Sequence, residues 1–445
     1  MSPALTDPVE IGGCRLPNRL YRAPLLECAG NGPDAVDVLV DELEPTAASG
    51  VGLIFQGASI VTAEGGCAAP NMTRVHDAAF VDRLSRLTDR VHDHGSRIFV
   101  QLGHGGLRSR SLWHAEHDGA QLAVSRPPRA LRLLDRAGVI DLRPDVLSTG
   151  EVRNLAEQFG RCAGYTMDAG YDGIHLSGAN MSLIQQFCSP YYNRRTDEFA
   201  DGVRFLEAIH DAVREHAGDV PLVTKVPAET AAPAFVRRHL TREDAVGIAR
   251  RLDEVGFDAL VPVEVSTFWD ASIVRGAFPD RAWDADDMQA GYERAFDSRY
   301  RVRAVRLLSR LQLRRFDREP GWNADLCRAV REAVDVPVLC EGGLRDRERC
   351  DRLLGGDKDG VGQGADRQPA ADLVGMGRPF YAEPRLGTRL LGGGERALCH
   401  SCNNCTVPQV TGAPGRCRTP SIVRERARLE RAGEYDGEGG PSGRG

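Results

Sequence analysis

Eight short apolar segments, separated by stretches of helical periodicity, restrict the fold of this chain more than any other feature. They run at Leu20 to Ala23, Gly52 to Gln56, Ile98 to Leu102, Gly173 to Leu176, Leu222 to Lys225, Ala259 to Val263, Val338 to Glu341 and Asp372 to Gly375. β-rich runs alternating with amphipathic helices are the pattern of repeated βα units on a parallel sheet. Stretches such as DAAFVDRLSRLTDRVHDHG and NADLCRAVREAV place Leu, Val and Ile three or four residues apart, as a helix with one buried face requires. TGEVRNLAEQFGRCAGYTMDAG opens on a threonine cap and reaches Gly170 beyond its end. Eight such units predict an α/β fold, a (β/α)8 TIM barrel over residues 1–390, with an open parallel sheet as the alternative.

Three connections exceed the short loops of such units. Residues 107–148 and 265–320 leave strand C-termini, where a barrel keeps its active site, so they are candidate lids or substrate walls. GGDKDGVGQGADRQPA precedes the eighth strand and reads as a solvated loop without chemistry. Residues 391–432 are expected to form a Cys-rich extension that ends in the helix TPSIVRERARLERA. The tail at 433–445, GEYDGEGGPSGRG, is too polar and Gly-rich to pack and is expected to be disordered.

No apolar run approaches the roughly 20 residues that cross a bilayer. The start MSPALTDPVEIGG has neither a basic n-region nor an apolar h-region, so a cytoplasmic location without membrane contact is expected. The formal net charge of -6 is mild, and no basic stripe with interleaved aromatics suggests a nucleic-acid partner. Among 57 Lys and Arg residues only Lys225 and Lys358 are lysine. Lys225 stands in the apolar strand PLVTKVP, where a charge needs a partner.

Two groups of residues carry chemistry. VPVLCEGGLRD and ADLVGMGRPFYAEP each run from a buried strand straight into glycines, at the seventh and eighth strands. Backbone N–H groups after those two strands commonly hold a phosphate in barrels, and glycine lets the backbone approach the anion. Gly342, Gly343, Gly375 and Gly377 fit that role with Arg378 as charged partner, or they only make tight strand-to-helix turns. Of the twelve cysteines, eight are scattered and read as small buried hydrophobes. Cys399, Cys402, Cys405 and Cys417 instead follow the spacing C-x2-C-x2-C-x11-C. Four thiolates so spaced suit a tetrahedral zinc or an iron–sulfur cluster, and an empty knuckle is the third reading. Three close cysteines and one distant one are the more frequent arrangement around a 4Fe-4S cubane.

Together these stretches resemble the Old Yellow Enzyme flavoproteins, and within them the long branch of 2,4-dienoyl-CoA reductase and trimethylamine dehydrogenase, over residues 5 to 425. LPNRLYRAP is similar to the family's opening strand and QLGHGG to its third-strand signature. DAGYDGIHLSGANMSLIQQFCSPYYNRRTDEF is similar to the long fourth-strand signature. The glycine pairs resemble the phosphate grip, and the cysteine spacing the 4Fe-4S ligand set of that branch.

The resemblance implies FMN across the C-terminal mouth of the barrel, with NAD(P)H as a co-substrate. The backbone at Ala23, Pro24 and Leu25 would lie along the isoalloxazine, and Gln101 would bond its pyrimidine edge. Lys225 falls on the strand-five cation beside N1 and O2, where positive charge stabilises reduced flavin. Gln56 either adds a contact to the ring or bonds backbone in the core.

The departures from the family bear on the acceptor. Where ene-reductases place a His, then His or Asn three residues on, then a proton-donating Tyr two further, this chain has Ser177, Asn180 and Ser182. A serine hydroxyl is a poor general acid. Asn180 is expected to donate to substrate with Ser177 assisting. His175 either joins them or is a satisfied core histidine, and His104 is expected to be structural. Leu26 stands where relatives place Thr or Cys beside the flavin carbonyl, and Cys28 follows two residues later, so a covalent flavin is not expected. Arg194, Arg195 and Asp197 read as a structural charge network or a nucleotide contact, and Tyr191 and Tyr192 as packing for their turn.

The resulting expectation is an FMN-dependent oxidoreductase that moves hydride or electrons from NAD(P)H or a small organic donor. The acceptor is an unsaturated small molecule or, through the cluster, a partner protein. In the long relatives the cluster relays electrons to a downstream nucleotide-binding region, and here the chain runs 28 residues past Cys417. The cluster is therefore expected to serve a separate redox partner or to hold the C-terminal helix on the barrel; a homo-oligomer is compatible with either. The alternatives are a zinc-stapled flavin or phosphate-binding barrel without ene-reductase activity, and a flavin-free barrel with isomerase or aldolase chemistry.

Overall fold

The computed structural model describes residues 3–316, 319–356 and 368–436. Its centre is a sheet of eight parallel strands: β1 (Leu20–Arg22), β2 (Leu53–Ile60), β3 (Arg97–Gly103), β4 (Gly173–Leu176), β5 (Leu222–Ala228), β6 (Ala259–Glu264), β7 (Leu339–Glu341) and β8 (Leu373–Met376). They pair in the order β6-β5-β4-β3-β2-β1-β8-β7. A parallel bridge between Leu260 and Val338 brings β6 against β7 and closes the barrel. All eight predicted strands are present, and the open-sheet alternative is excluded by that closure.

Successive strand residues point to opposite faces, and this alternation sorts the core into two layers. Leu53, Phe55, Phe99, Val223, Val261, Leu339 and Leu373 pack inside the barrel, where Tyr21, Phe55 and Phe99 meet edge to face at 5.4 and 5.8 Å between ring centroids. Their neighbours Ile54, Val100, Leu222, Leu260 and Val374 pack outward against the helices. A hairpin of Val9–Ile11 and Cys14–Leu16 presents Ile11 and Leu16 to the same interior cluster.

The longest helix, Thr149–Asp168, is capped one residue earlier than its sequence suggests. Ser148 accepts from the Glu151 N–H and Glu151 bonds back to Ser148, forming a capping box. Thr149 donates instead to Asp197, which also holds Arg195 at 2.5 Å. Arg195 in turn donates to the carbonyls of Val124 and Leu147. That supports the structural reading of the Arg195–Asp197 pair.

The Cys-rich extension is not a separate appendage. Gln409 donates to the Leu26 carbonyl at 2.9 Å, Cys417 N–H to the Tyr381 carbonyl at 3.1 Å, and Ala277 N–H to the Ser401 carbonyl at 2.8 Å. The helix Pro420–Arg431 follows, and Tyr435 beyond it is buried with its hydroxyl 2.8 Å from Glu383. Tyr435, in a stretch expected to be unpacked, is thus packed, while Glu434 and Asp436 beside it stay exposed. The remaining tail at 437–445 and most of the loop before β8, residues 357–367, lie outside the described residues. No described helix is long and apolar enough to cross a membrane.

Candidate functional site

One cavity opens at the C-terminal ends of the strands, and most of the sequence-predicted residues line it. Ala23, Pro24 and Leu25 form one wall, directly after β1. Gln101 and Lys225 rise from β3 and β5, Ser177 and Asn180 follow β4, and Gly342, Gly343, Gly377 and Arg378 follow β7 and β8. Strand alternation explains the strand contributors. Gln101 shares its face with Phe99, Lys225 with Val223 and Glu341 with Leu339, so all three point inward one step above the hydrophobic interior.

Three residues predicted to contact flavin or substrate do not line the cavity. Gln56 has the opposite parity to Phe55, faces the helix layer and accepts from the buried Tyr171 hydroxyl, so it is a core amide whose partner is a side chain and not the expected backbone. Gly375 faces inward, but the Tyr21 ring fills the space above it, with ring carbon only 2.1 Å from where a Cβ would stand. It is a packing glycine rather than part of a phosphate cradle. His175 is wholly buried under the site, its ring tilted against Phe55 at 4.6 Å between centroids, with Nδ1 2.9 Å from Gln101 Nε2. Burial, then the Lys225 cation, pushes its pKa well below the usual histidine value. The neutral ring accepts from the Gln101 amide and so aims the other end of that amide. His175 therefore stands beneath the cavity as a positioning partner of Gln101 rather than in its lining.

The structure also adds residues that the sequence reading passed over. Glu341 pairs with Lys225 and lies 3.5 Å from the Tyr21 hydroxyl. Glu341 in VPVLCEGG, like Lys225, is a charge in an apolar strand and needs a partner. Arg345 lines the cavity and reaches Ser401 Oγ at 3.4 Å. Trp322 lies across Gly342 and Gly343, whose φ values of +120° and +70° an L side chain rarely adopts. The family's tyrosine position is accounted for as well: Ser182 caps the helix Leu183–Cys188, its hydroxyl accepting from Gln185 N–H.

These residues fit a flavin mononucleotide. Among the described residues the N–H groups of Gly342, Gly343 and Arg378 meet no acceptor, which leaves donors free beside Arg345 and Arg378 for a phosphate. Arg378 also donates to Asn403 and to the Arg275 carbonyl, linking this end of the cavity to the cysteine loop.

The four cysteines converge beside that link. Cys399 and Cys417 pack with Ala382 and Ile422, and Cys402 Sγ lies 3.0 Å from Thr419 Oγ1. Burial pushes the Cys405 thiol up to about 12, opposed by Arg378 and reinforced by Cys399, Cys402 and Cys417. Among the described residues no three potential ligands stand as a ready single-ion site. A tetrahedral zinc with bonds near 2.3 Å would need its sulfurs about 3.8 Å apart. Ser401, Thr406 and Gln409 of the same loop line the cavity, so the cysteine loop is also a wall of the site.

Comparison with known proteins agrees with this geometry. Residues 4–280 match the NADH:flavin oxidoreductase / NADH oxidase family. The NADH oxidase of Thermoanaerobacter brockii is 25% identical over 435 residues, covering 93% of this chain and 57% of the relative, so the chain spans little more than half of that protein's length. The 4,4'-dithiodibutanoate disulfide reductase of Rhodococcus erythropolis is 25% identical over 443 residues, covering 96% of this chain and 98% of the relative. Among solved structures, histamine dehydrogenase from Rhizobium sp. 4-9 superposes with a TM-score of 0.70 at 20% identity, covering 95% of this chain and 53% of that one. That likeness is one of fold. The barrel, its lined mouth and the family match over more than half the chain agree: the protein belongs to the NADH:flavin oxidoreductase / NADH oxidase family.

Proposed function

We propose that this chain is an FMN-dependent NAD(P)H oxidoreductase that reduces a small organic acceptor. The observation that carries the reading is the single cavity in which the Ala23–Leu25 segment, Gln101, Lys225 and the free N–H groups of Gly342, Gly343 and Arg378 meet. FMN bound there supplies a carrier that takes two electrons as hydride and passes them on. Lys225 offers positive charge at the pyrimidine end, shared with Glu341. His175 fixes Gln101, and Ser177 and Asn180 face the acceptor side.

Ser182 caps a helix by accepting from Gln185 N–H, and an aliphatic hydroxyl is a poor general acid. An alkene acceptor needs a proton delivered to carbon, whereas a disulfide cleaved by two electrons releases a thiolate that needs no strong acid. The relative matched along 98% of its length is called a disulfide reductase. A disulfide is therefore the acceptor class with most support, by the balance NAD(P)H + H+ + RSSR → NAD(P)+ + 2 RSH.

The proposal extends to the cysteine loop. Cys399, Cys402, Cys405 and Cys417 are assigned to a 4Fe-4S cluster, supported by their spacing and their convergence beside Arg378. A cluster there would exchange electrons with a partner protein or brace the cavity wall. Anaerobic purification followed by absorption spectroscopy and iron and sulfide analysis tests both parts. Flavin bands with a brown shoulder bleached by dithionite are expected. A colourless protein overturns the flavin reading, and flavin bands without iron overturn the cluster alone.

A further inference from the structure

Arg108 is a cation without a counter-charge in the wall of the cavity. It follows β3 in the loop QLGHGGLR, four residues after His104, and lines the cavity with Asn180. Its Nη1 donates to the Asn180 carbonyl at 2.9 Å and its Nη2 to the Ala68 carbonyl at 3.4 Å. The Nε atom is buried with no acceptor, and the guanidinium lies 4.8 Å above the Trp269 ring. Carbonyls and a ring face satisfy some of its hydrogen bonds but leave the charge unneutralised. Among the described residues no carboxylate pairs with it; burial alone pulls its pKa down to about 9.

A partly buried guanidinium without a counter-ion is costly, and arginine otherwise finds a carboxylate or phosphate for its fork of donors. Position separates this cation from the phosphate end. Arg108 stands beside Asn180 after β3 and β4, whereas Gly342, Gly343 and Arg378 follow β7 and β8. A second donor lines the same cavity. His104 Nδ1 accepts from Gly106 N–H at 3.0 Å, so the neutral ring carries its proton on Nε2, which is buried without a partner. The apolar part of that wall is built by Leu26, Ala58, Ile60, Ala68 and Met72.

We infer that the acceptor is an organic anion, a small carboxylate whose carboxyl group docks on Arg108 with its apolar body against the Leu26–Met72 wall. The inference rests on the flavin reading for the direction of the cavity, and adds a carboxylate to the disulfide acceptor proposed there. A bidentate Arg–carboxylate contact would supply both the charge balance and the orientation.

Calorimetric titration of the protein as purified with trans-cinnamate and its neutral isostere trans-cinnamamide tests it. The acid is expected to bind at least about tenfold more tightly than the amide. Arg108→Gln should abolish that preference while leaving amide affinity unchanged, which also shows that the variant site is intact. Arg108→Lys, which keeps the charge but not the fork, should retain part of it. Equal binding of acid and amide, no binding of either, or a preference that survives Arg108→Gln overturns the proposal. So does an Arg108→Gln variant that loses NADPH affinity and keeps cinnamate affinity. A protein without flavin bands would overturn the flavin reading separately, because the acid–amide comparison requires no turnover.

Discussion

Lys225 and Glu341 form an ion pair across the mouth of the barrel, joining the inner faces of β5 and β7, with the Tyr21 hydroxyl 3.5 Å from the same carboxylate. The cation that the family resemblance sets beside the flavin pyrimidine is therefore half of a neutral pair. Removing the carboxylate leaves Lys225 uncompensated and favours the anionic reduced flavin. Glu341→Gln is expected to raise the FMN midpoint potential by on the order of 20–50 mV, the effect of one charge several ångströms away at intermediate dielectric. Spectroelectrochemical titration reads this directly; an unchanged or lowered potential would refute it.

The inward glycines of β8 and of the β7 loop should respond differently to a methyl group. At Gly375 a Cβ would stand 2.1 Å from the Tyr21 ring in the barrel interior, so Gly375→Ala overpacks the core. A loss of about 1–3 kcal/mol in denaturant unfolding is expected. At Gly343 the φ of +70° and the Trp322 ring 2.4 Å from a Cβ distort the loop whose N–H groups are free. Gly343→Ala should weaken FMN binding at least about tenfold with a smaller effect on the fold. Equal effects of both substitutions on FMN affinity would contradict the distinction.

Stability should fall as pH rises through neutrality because of one buried triad. Arg22, 1% exposed, is paired with both Glu27 at 2.8 Å and Glu42 at 2.7 Å, one cation against two carboxylates. Burial raises both carboxyl groups, Glu42 from 4.5 to about 8, against the pull of Arg22. The folded chain thus holds a proton that the unfolded chain releases above about 4.5. Its contribution is complete below that value and is lost as pH climbs through about 8. Chemical denaturation between pH 5 and 8 should show this decline and a flatter profile for Glu42→Gln; parallel profiles would count against it.

Because Ser401, Thr406 and Gln409 wall the cavity, damage to the cysteine loop should reach the flavin. Cys405→Ser is expected to lower iron content and FMN occupancy together. Iron analysis and flavin fluorescence on the same sample decide it, and iron loss with FMN affinity unchanged would show that the wall holds without the cluster.

The residues themselves contained more of this protein than its fold class. Repeating β and α periodicities announced eight βα units, and all eight strands form where the apolar segments lie. Parity along a strand also separates Gln101, on the Phe99 face, from Gln56, opposite Phe55. What periodicity cannot carry is the partner of an inward group once the sheet closes. Lys225 meets Glu341 at a separation of 116 residues, Gly375 lies beneath Tyr21, and His175 turns from the substrate to Gln101. Arg108, one arginine among many in the sequence, stands out only because closure leaves it beside Asn180 at the cavity, with no carboxylate paired to it among the described residues. Local spacing decides which face a side chain takes. The charges and rings it then confronts are decided by the curvature that brings distant strands around one axis.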